Sequence, residues 1–110
     1  MIEPYYNSDD FTLYKGDCLE LLENIETKVD MIFADPPYFL STGNGRVNIN
    51  GDFIKFDKGL WDRVRSKEDK DKFNFKWISA ACNLLKENGT IWICGTYHNI
   101  FSVEKCLEGL

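Results

Sequence analysis

The chain has 110 residues, of which 44% are hydrophobic and 15% aromatic, and its formal net charge is −5. This length provides one small domain rather than two, and the composition argues against disorder. A complete nucleic-acid-binding domain is usually basic, so the acidic balance argues against a whole DNA-binding surface while leaving room for a catalytic core.

The first elements are predicted in the amino-terminal third of the chain. Residues 11–15 alternate aromatic and polar side chains, which predicts a short strand. Asp17, with Glu20 three residues later, fits a capping box at the start of a helix. Apolar residues then recur at helical spacing: Cys18, Leu21, Leu22 and Ile25. Residues 29–34 form a largely apolar run, which is typical of a strand covered on both faces of a parallel sheet.

In the second half of the chain, strands and helices again alternate after a long loop. Residues 39–65 show no clean periodicity, and a loop of this length in a compact chain is usually functional or mobile. A small hairpin is predicted within it from Val47, Ile49, Phe53, Ile54 and Phe56. A strong helix is predicted over 68–87, with Asn88-Gly89 as its stop. An apolar strand over 90–95 and a helix from Asn99 follow.

This order of strands and helices predicts an α/β fold with a doubly wound, Rossmann-like parallel sheet. About three parallel strands with flanking helices are present, which would leave a long apolar edge exposed. The last predicted helix reaches Leu110 without a stop signal. We therefore expect residues 1–110 to be the amino-terminal part of one domain, completed by a carboxyl-terminal segment or by self-association.

The cysteines and the amino terminus indicate the compartment. Four cysteines (Cys18, Cys82, Cys94 and Cys106) have no spacing typical of a zinc pair, which favours buried, reduced thiols over a metal site. The residues after Met1 lack the basic and apolar stretches of a signal peptide. No apolar run approaches the ~20 residues that a membrane span needs. We expect a cytoplasmic protein with no membrane partner.

The tetrapeptide Asp35-Pro36-Pro37-Tyr38 follows the strand over 29–34, at the sheet end that faces the ligand crevice. Two prolines fix φ and remove two N–H donors, so the turn offers carbonyl oxygens. Asp35 and the Pro36 carbonyl can accept both hydrogens of an exocyclic amine, which frees the nitrogen lone pair to attack a methyl sulfonium. Tyr38 can stack on a flipped base, worth ~1–3 kcal/mol. The alternative, a proline-stiffened turn with a helix-capping aspartate, is disfavoured at the end of a buried strand.

The segment GDCLELLENIETKVDMIFADPPYFLS resembles the opening of amino-methyltransferases of restriction–modification systems. The similarity continues through FDKGLWD and LLKENGTIWICGTYHN, and so covers nearly the whole chain. In that family DPPY is the catalytic motif and S-adenosyl-methionine is the methyl donor. The family's glycine motif, F-x-G-x-G, is absent here. This order resembles the circularly permuted beta group, in which the glycine motif follows a target-recognition region near the carboxyl terminus.

The resemblance implies a methyltransferase-type Rossmann-like fold and adenine-N6 methylation of double-stranded DNA with a flipped target base. Cytosine N4 methylation stays open, although those enzymes more often place serine first in the tetrapeptide. A non-catalytic fragment or subunit is the other alternative, because the glycine motif and the recognition region are missing. Nothing in the sequence fixes the recognition site.

The resemblance also implies that Asp17 binds the adenine amine of the cofactor. Cys18 could add its backbone N–H, while its thiol is expected in the core. The alternative for Asp17 is a helix N-cap, and both roles can hold.

Basic and aromatic residues of the long loop suit contact with DNA phosphates and a displaced strand. With Tyr38 on the base, the candidates are Arg46, Lys58 and Trp61. The alternative is an ordinary polar loop with Trp61 packed on the core. His98 is the only histidine, and no serine or aspartate arrangement indicates a hydrolase. A structural role is expected for it.

Overall fold

The computed structural model describes residues 2–39, 46–49, 52–55 and 66–110, with the backbone alone for the two short middle segments. In chain order the elements are β1 (Tyr6–Asn7), β2 (Thr12–Leu13), α1 (Cys18–Glu23), β3 (Val29–Ala34), β4 (Arg46–Ile49), β5 (Asp52–Lys55), α2 (Lys67–Leu84), β6 (Leu85–Ile93) and α3 (Ile100–Glu108). The chain is therefore a mixed α/β structure. No helix within these ranges is long and apolar enough to cross a membrane.

The strand pair that positions the site is parallel, β3 beside β6. Ile32 lies opposite Ile91, and Ala34 lies opposite Ile93. These four side chains pack against the core. The alternate residues point to the other face, as the two-residue period of a strand requires. That face is exposed in the described part of the chain and carries Met31, Phe33 and Trp92.

A third parallel strand is not confirmed. Residues 11–15 are predicted as a strand of the sheet, but β2 pairs antiparallel with β1 instead. Ser8 explains this local pairing, because its Oγ accepts hydrogen bonds from the backbone N–H groups of Asp10 and Phe11, both at 3.3 Å. The rings of Tyr6 and Phe11 lie 5.4 Å apart across the turn. A short hairpin therefore forms where the alternation predicts a sheet strand.

The junction of α2 and β6 also differs from the prediction. Helix α2 ends at Leu84 and not at residue 87, because Leu85 has extended backbone (φ −72°, ψ 140°) and already pairs with β3. The register then shifts, so residues 86–89 bulge out of the strand. Gly89 suits this position, because a Cβ would lie 3.0 Å from the Lys86 carbonyl oxygen and 3.2 Å from the Asp30 carbonyl oxygen, which is tighter than most Cβ contacts. Asn88-Gly89 therefore belongs to a strand bulge and is not a helix stop.

The core lies between α2, α3 and the inner face of the β3–β6 pair. Helix α2 begins after Ser66, whose Oγ accepts a hydrogen bond from the Asp69 N–H at 3.2 Å. Its buried face consists of Asn74, Trp77, Ile78, Ala81 and Leu84. Helix α3 contributes Val103 and Cys106, while Leu107 is 38% exposed.

Strands β4 and β5 pair antiparallel, with Val47 opposite Ile54. This confirms the predicted hairpin over the residues described. The rest of the loop predicted over 39–65, apart from Phe39, lies outside the described residues, and so does its predicted mobility.

Candidate active site

The DPPY tetrapeptide lies where the parallel strand pair ends. β3 ends at Ala34, and the Cys94 N–H just after β6 donates to the Ala34 carbonyl at 2.9 Å. That bond extends the ladder to the last residue before the turn. The carboxyl ends of parallel strands face the ligand crevice of such sheets. The turn therefore starts from a fixed backbone at the expected edge.

Within the turn, the Tyr38 hydroxyl donates a hydrogen bond to Asp35 Oδ1. This bond to a carboxylate raises the pKa of Tyr38 to about 12, with desolvation and the negative charge of Asp35 adding to the shift. Asp35 is exposed and Tyr38 is half-buried. The pair therefore presents a carboxylate and an aromatic ring side by side at the surface.

Phe39 anchors the carboxyl end of the turn. Its φ is 58°, a left-handed conformation that is unusual for an aromatic residue. Its side chain is 2% exposed and meets the Phe73 ring edge to face, with centroids 6.0 Å apart. Strained backbone of this kind persists when the surrounding packing holds it, and it clusters at functional sites.

A buried amide contacts the turn from the position just before α3. Asn99 precedes this helix, is 1% exposed, and donates from Nδ2 to the Pro37 carbonyl oxygen at 3.4 Å. Asn99 is held in turn by Asn74 of α2. Sequence reasoning missed both asparagines and Phe39. A signal existed for Asn74, because it interrupts the apolar face of α2 at a position that faces the core.

The two predicted cofactor residues lie at the start of α1. Asp17 is the N-cap of this helix, and its Oδ1 accepts a hydrogen bond from the Leu19 N–H at 2.8 Å. The expectation that the Cys18 thiol lies in the core is wrong, because Cys18 is exposed at the first turn of a short helix. Among the described residues, no hydrogen bond links Asp17 or Cys18 to the tetrapeptide.

The predicted DNA-contacting residues fall mostly outside the described part of the chain. Tyr38 lies in the turn, and Arg46 begins β4, where only its backbone is described. Lys58 and Trp61 lie outside the described residues. The His98 ring stacks on the Tyr97 ring with centroids 4.0 Å apart, and its carbonyl accepts a hydrogen bond from Lys70 at 3.1 Å.

Comparison with known proteins identifies the family of the chain. Residues 29–109, which include the tetrapeptide and both strands of the parallel pair, match the family described as DNA methylase, the N6 and N4 methyltransferases. The chain belongs to the DNA methylase family. Within the ranges that the structure describes, no group of three or more histidine, cysteine or acidic side chains could hold a metal ion.

Three curated relatives are similar to this chain over almost its whole length. Type II methyltransferase M2.LlaDCHI of Lactococcus lactis subsp. cremoris is 50% identical over 98% of the chain, and M2.DpnII of Streptococcus pneumoniae is 49% identical over 98%. M2.MboI of Moraxella bovis is 46% identical over 97%. The chain spans 40% of the length of each relative.

Proposed function

We propose that this chain carries the catalytic turn of a DNA methyltransferase that moves a methyl group from S-adenosyl-methionine to the N6 amine of a flipped adenine. The observation that carries the proposal is the exposed carboxylate of Asp35 beside Tyr38 in a turn whose two prolines have no N–H. Membership of the DNA methylase family and the similarity to Type II methyltransferases support this class of reaction.

The chemistry assigned to the turn is the placement of an amine. The target –NH2 donates one hydrogen bond to Asp35 and one to the Pro36 carbonyl, which localises the nitrogen lone pair on the face directed at the methyl donor. S-adenosyl-methionine, when bound, supplies a methyl group on a cationic sulfur that leaves as a neutral thioether. Asp35 accepts the proton that the nitrogen loses. Tyr38 stacks on the base and orients the carboxylate through its hydroxyl.

Asp17 fits the adenine end of the cofactor. One of its carboxylate oxygens caps α1, and a carboxylate has acceptor sites on both oxygens. The exposed N-cap can therefore accept a further bond from an exocyclic amine, with the Cys18 backbone N–H beside it. Pro37 completes the rigid turn of the tetrapeptide.

For DNA, we propose that Tyr38 contacts the flipped base, and that Arg46, Lys58 and Trp61 contact phosphates and the displaced strand. The acidic chain, with a net charge of −5, is expected to leave the recognition surface to another part of the enzyme.

We propose that the fold is part of a permuted, Rossmann-like sheet completed by a carboxyl-terminal segment of the same or another chain, or by self-association. Two observations support this: the chain spans 40% of its relatives, and Phe33 and Trp92 on the outer sheet face are 67% and 63% exposed. The glycine motif and the recognition region belong to that carboxyl-terminal segment in this proposal.

We also propose a cytoplasmic location, because four free cysteines suit the reducing cytoplasm.

The test is analysis of methylated DNA after reaction of the intact methyltransferase, or of the chain combined with a complementing segment, with labelled S-adenosyl-methionine. We expect label in N6-methyladenine. Label in N4-methylcytosine would favour the alternative that the family match leaves open. Calorimetric titration of the chain alone with S-adenosyl-methionine tests whether it depends on a complementing segment. Tight cofactor binding by this chain alone would contradict that proposed dependence.

A further inference from the structure

Polar side chains form a continuous path of hydrogen bonds through the apolar contact between α2 and α3. At its centre lie Asn74 and Asn99, here called the asparagine pair, which are 0% and 1% exposed. Asn74 Nδ2 donates to Asn99 Oδ1 at 2.7 Å and to Ser102 Oγ at 2.9 Å. Asn99 Nδ2 then donates to the Pro37 carbonyl oxygen. The path therefore joins the helical layer to the DPPY turn.

The groups at the two ends fix the orientation of both amides. The Trp77 indole N–H can only donate, and it donates to Asn74 Oδ1 at 2.9 Å. Asn74 must therefore direct its NH2 toward Asn99, which accepts with its oxygen and has its own NH2 left for the turn. The Pro37 carbonyl can only accept. Reversing either amide would place a buried donor against a donor or an acceptor against an acceptor.

The other branch of the path ends at the protein surface. Ser102 Oγ donates to Asp71 Oδ1 at 2.5 Å, and Lys105 Nζ donates to Asp71 Oδ2 at 3.2 Å. The hydrogen bond from Ser102 is the main cause that lowers the pKa of Asp71. The asparagine pair is thus bonded to α2 and α3 on one side and to the turn on the other.

Packing of α2 against α3 does not by itself require amide side chains at these two positions. Buried polar groups cost free energy unless they are bonded, and apolar side chains of similar volume often hold such a contact equally well. The turn has a different requirement. Pro36 and Pro37 have no N–H, so the turn lacks two of the donors that fix a peptide plane. A donor from outside the turn meets that requirement.

We propose that Asn99 is a positioning residue for the methyl-transfer reaction. Its amide holds the Pro37 peptide plane, and so the placement of Tyr38 against Asp35, while Asn74 fixes the direction of the amide. This inference rests on the proposed function, because it concerns the same turn. Catalytic groups have to be held within fractions of an ångström, and small misplacements lower rates steeply.

The test compares Asn99 variants in the intact methyltransferase or in the chain combined with a complementing segment. Asn99→Asp keeps an oxygen that accepts from Asn74 but loses the donor to Pro37. Asn99→Ala loses both bonds without adding a charge. We expect kcat to fall roughly 10- to 100-fold in both variants. KM for DNA and for S-adenosyl-methionine should stay within about threefold, because no binding contact is removed. Asn83→Ala, on the exposed side of α2, is the matched control and should match the wild type.

Asp35→Ala in the same assay separates this inference from the function on which it rests. Loss of turnover in Asp35→Ala together with wild-type kcat in both Asn99 variants would overturn the positioning role alone. A raised KM with unchanged kcat would also overturn it, because it would indicate a binding role. Retained turnover in Asp35→Ala would instead contradict the proposed function. If Asn99→Asp does not fold, the kcat of Asn99→Ala, measured below the melting temperature of that variant, decides whether Asn99 has the positioning role.

Discussion

Replacing Asn74 by alanine removes the centre of the asparagine pair. Asn74 makes three hydrogen bonds, two of them to groups that solvent hardly reaches: the indole N–H of Trp77, which is 5% exposed, and Oδ1 of Asn99, which is 1% exposed. Each buried group left without a partner costs about 1–3 kcal/mol, so Asn74→Ala should lower the free energy of unfolding by ~2–6 kcal/mol. That is a large share of the ~5–15 kcal/mol typical of a domain.

Urea denaturation of the chain, followed by far-ultraviolet circular dichroism, measures this loss. With an m value of ~2 kcal/mol per M, the lower bound of the loss moves the midpoint by about 1 M. Asn83→Ala changes an exposed asparagine on the same helix and should stay within ~0.5 kcal/mol of the wild type. A loss in Asn74→Ala no larger than in this control would show that the hydrogen bonds of Asn74 contribute nothing measurable to the free energy of unfolding.

Two further predictions concern the turn. Phe39 combines a φ of 58° with almost complete burial, so Phe39→Ala should cost about 3–5 kcal/mol in unfolding experiments. Phe39→Gly should be more stable than Phe39→Ala by ~1 kcal/mol, since glycine adopts this φ freely; the reverse order would show that the backbone is unstrained. The Tyr38 pKa rises from 10.0 to about 12, so its bond to Asp35 should stabilise the fold fully below pH 10 and lose that effect as pH rises toward 12. The stability difference between wild type and Tyr38→Phe, measured by urea denaturation across this range, should shrink accordingly; growth with pH would contradict the assigned bond.

Local signals predicted several elements well. Asp17 caps α1 as expected, the hairpin of β4 and β5 forms over the described residues, and helix α2 forms over most of its predicted range. These features depend on side chains a few residues apart, which a sequence displays directly. The position of the tetrapeptide at a strand end is another such feature, because it follows from an apolar run ended by prolines.

The predictions that were wrong depend on contacts between distant parts of the chain. Helix α2 ends early because Leu85 pairs with β3, and the periodicity of the helix carries no trace of that partner. The Thr12–Leu13 strand is an exception, because the turn that Ser8 closes lies within its own hairpin. The hydrogen bond from Asn99 to Pro37 joins residues 62 positions apart. In the candidate site, the sequence therefore predicts the groups that we propose to meet the substrate, but not the groups that hold them in place.

Turnover by Asp35→Ala is the decisive test of the proposal that Asp35 receives the target amine. The measurement is transfer of labelled methyl groups to DNA by the intact methyltransferase, with binding of S-adenosyl-methionine determined on the same preparation. We predict that methyl transfer is abolished while cofactor binding is largely retained, because we propose that Asp35 contacts the base and not the donor. Methyl transfer at the wild-type rate by Asp35→Ala would show that Asp35 does not receive the target amine.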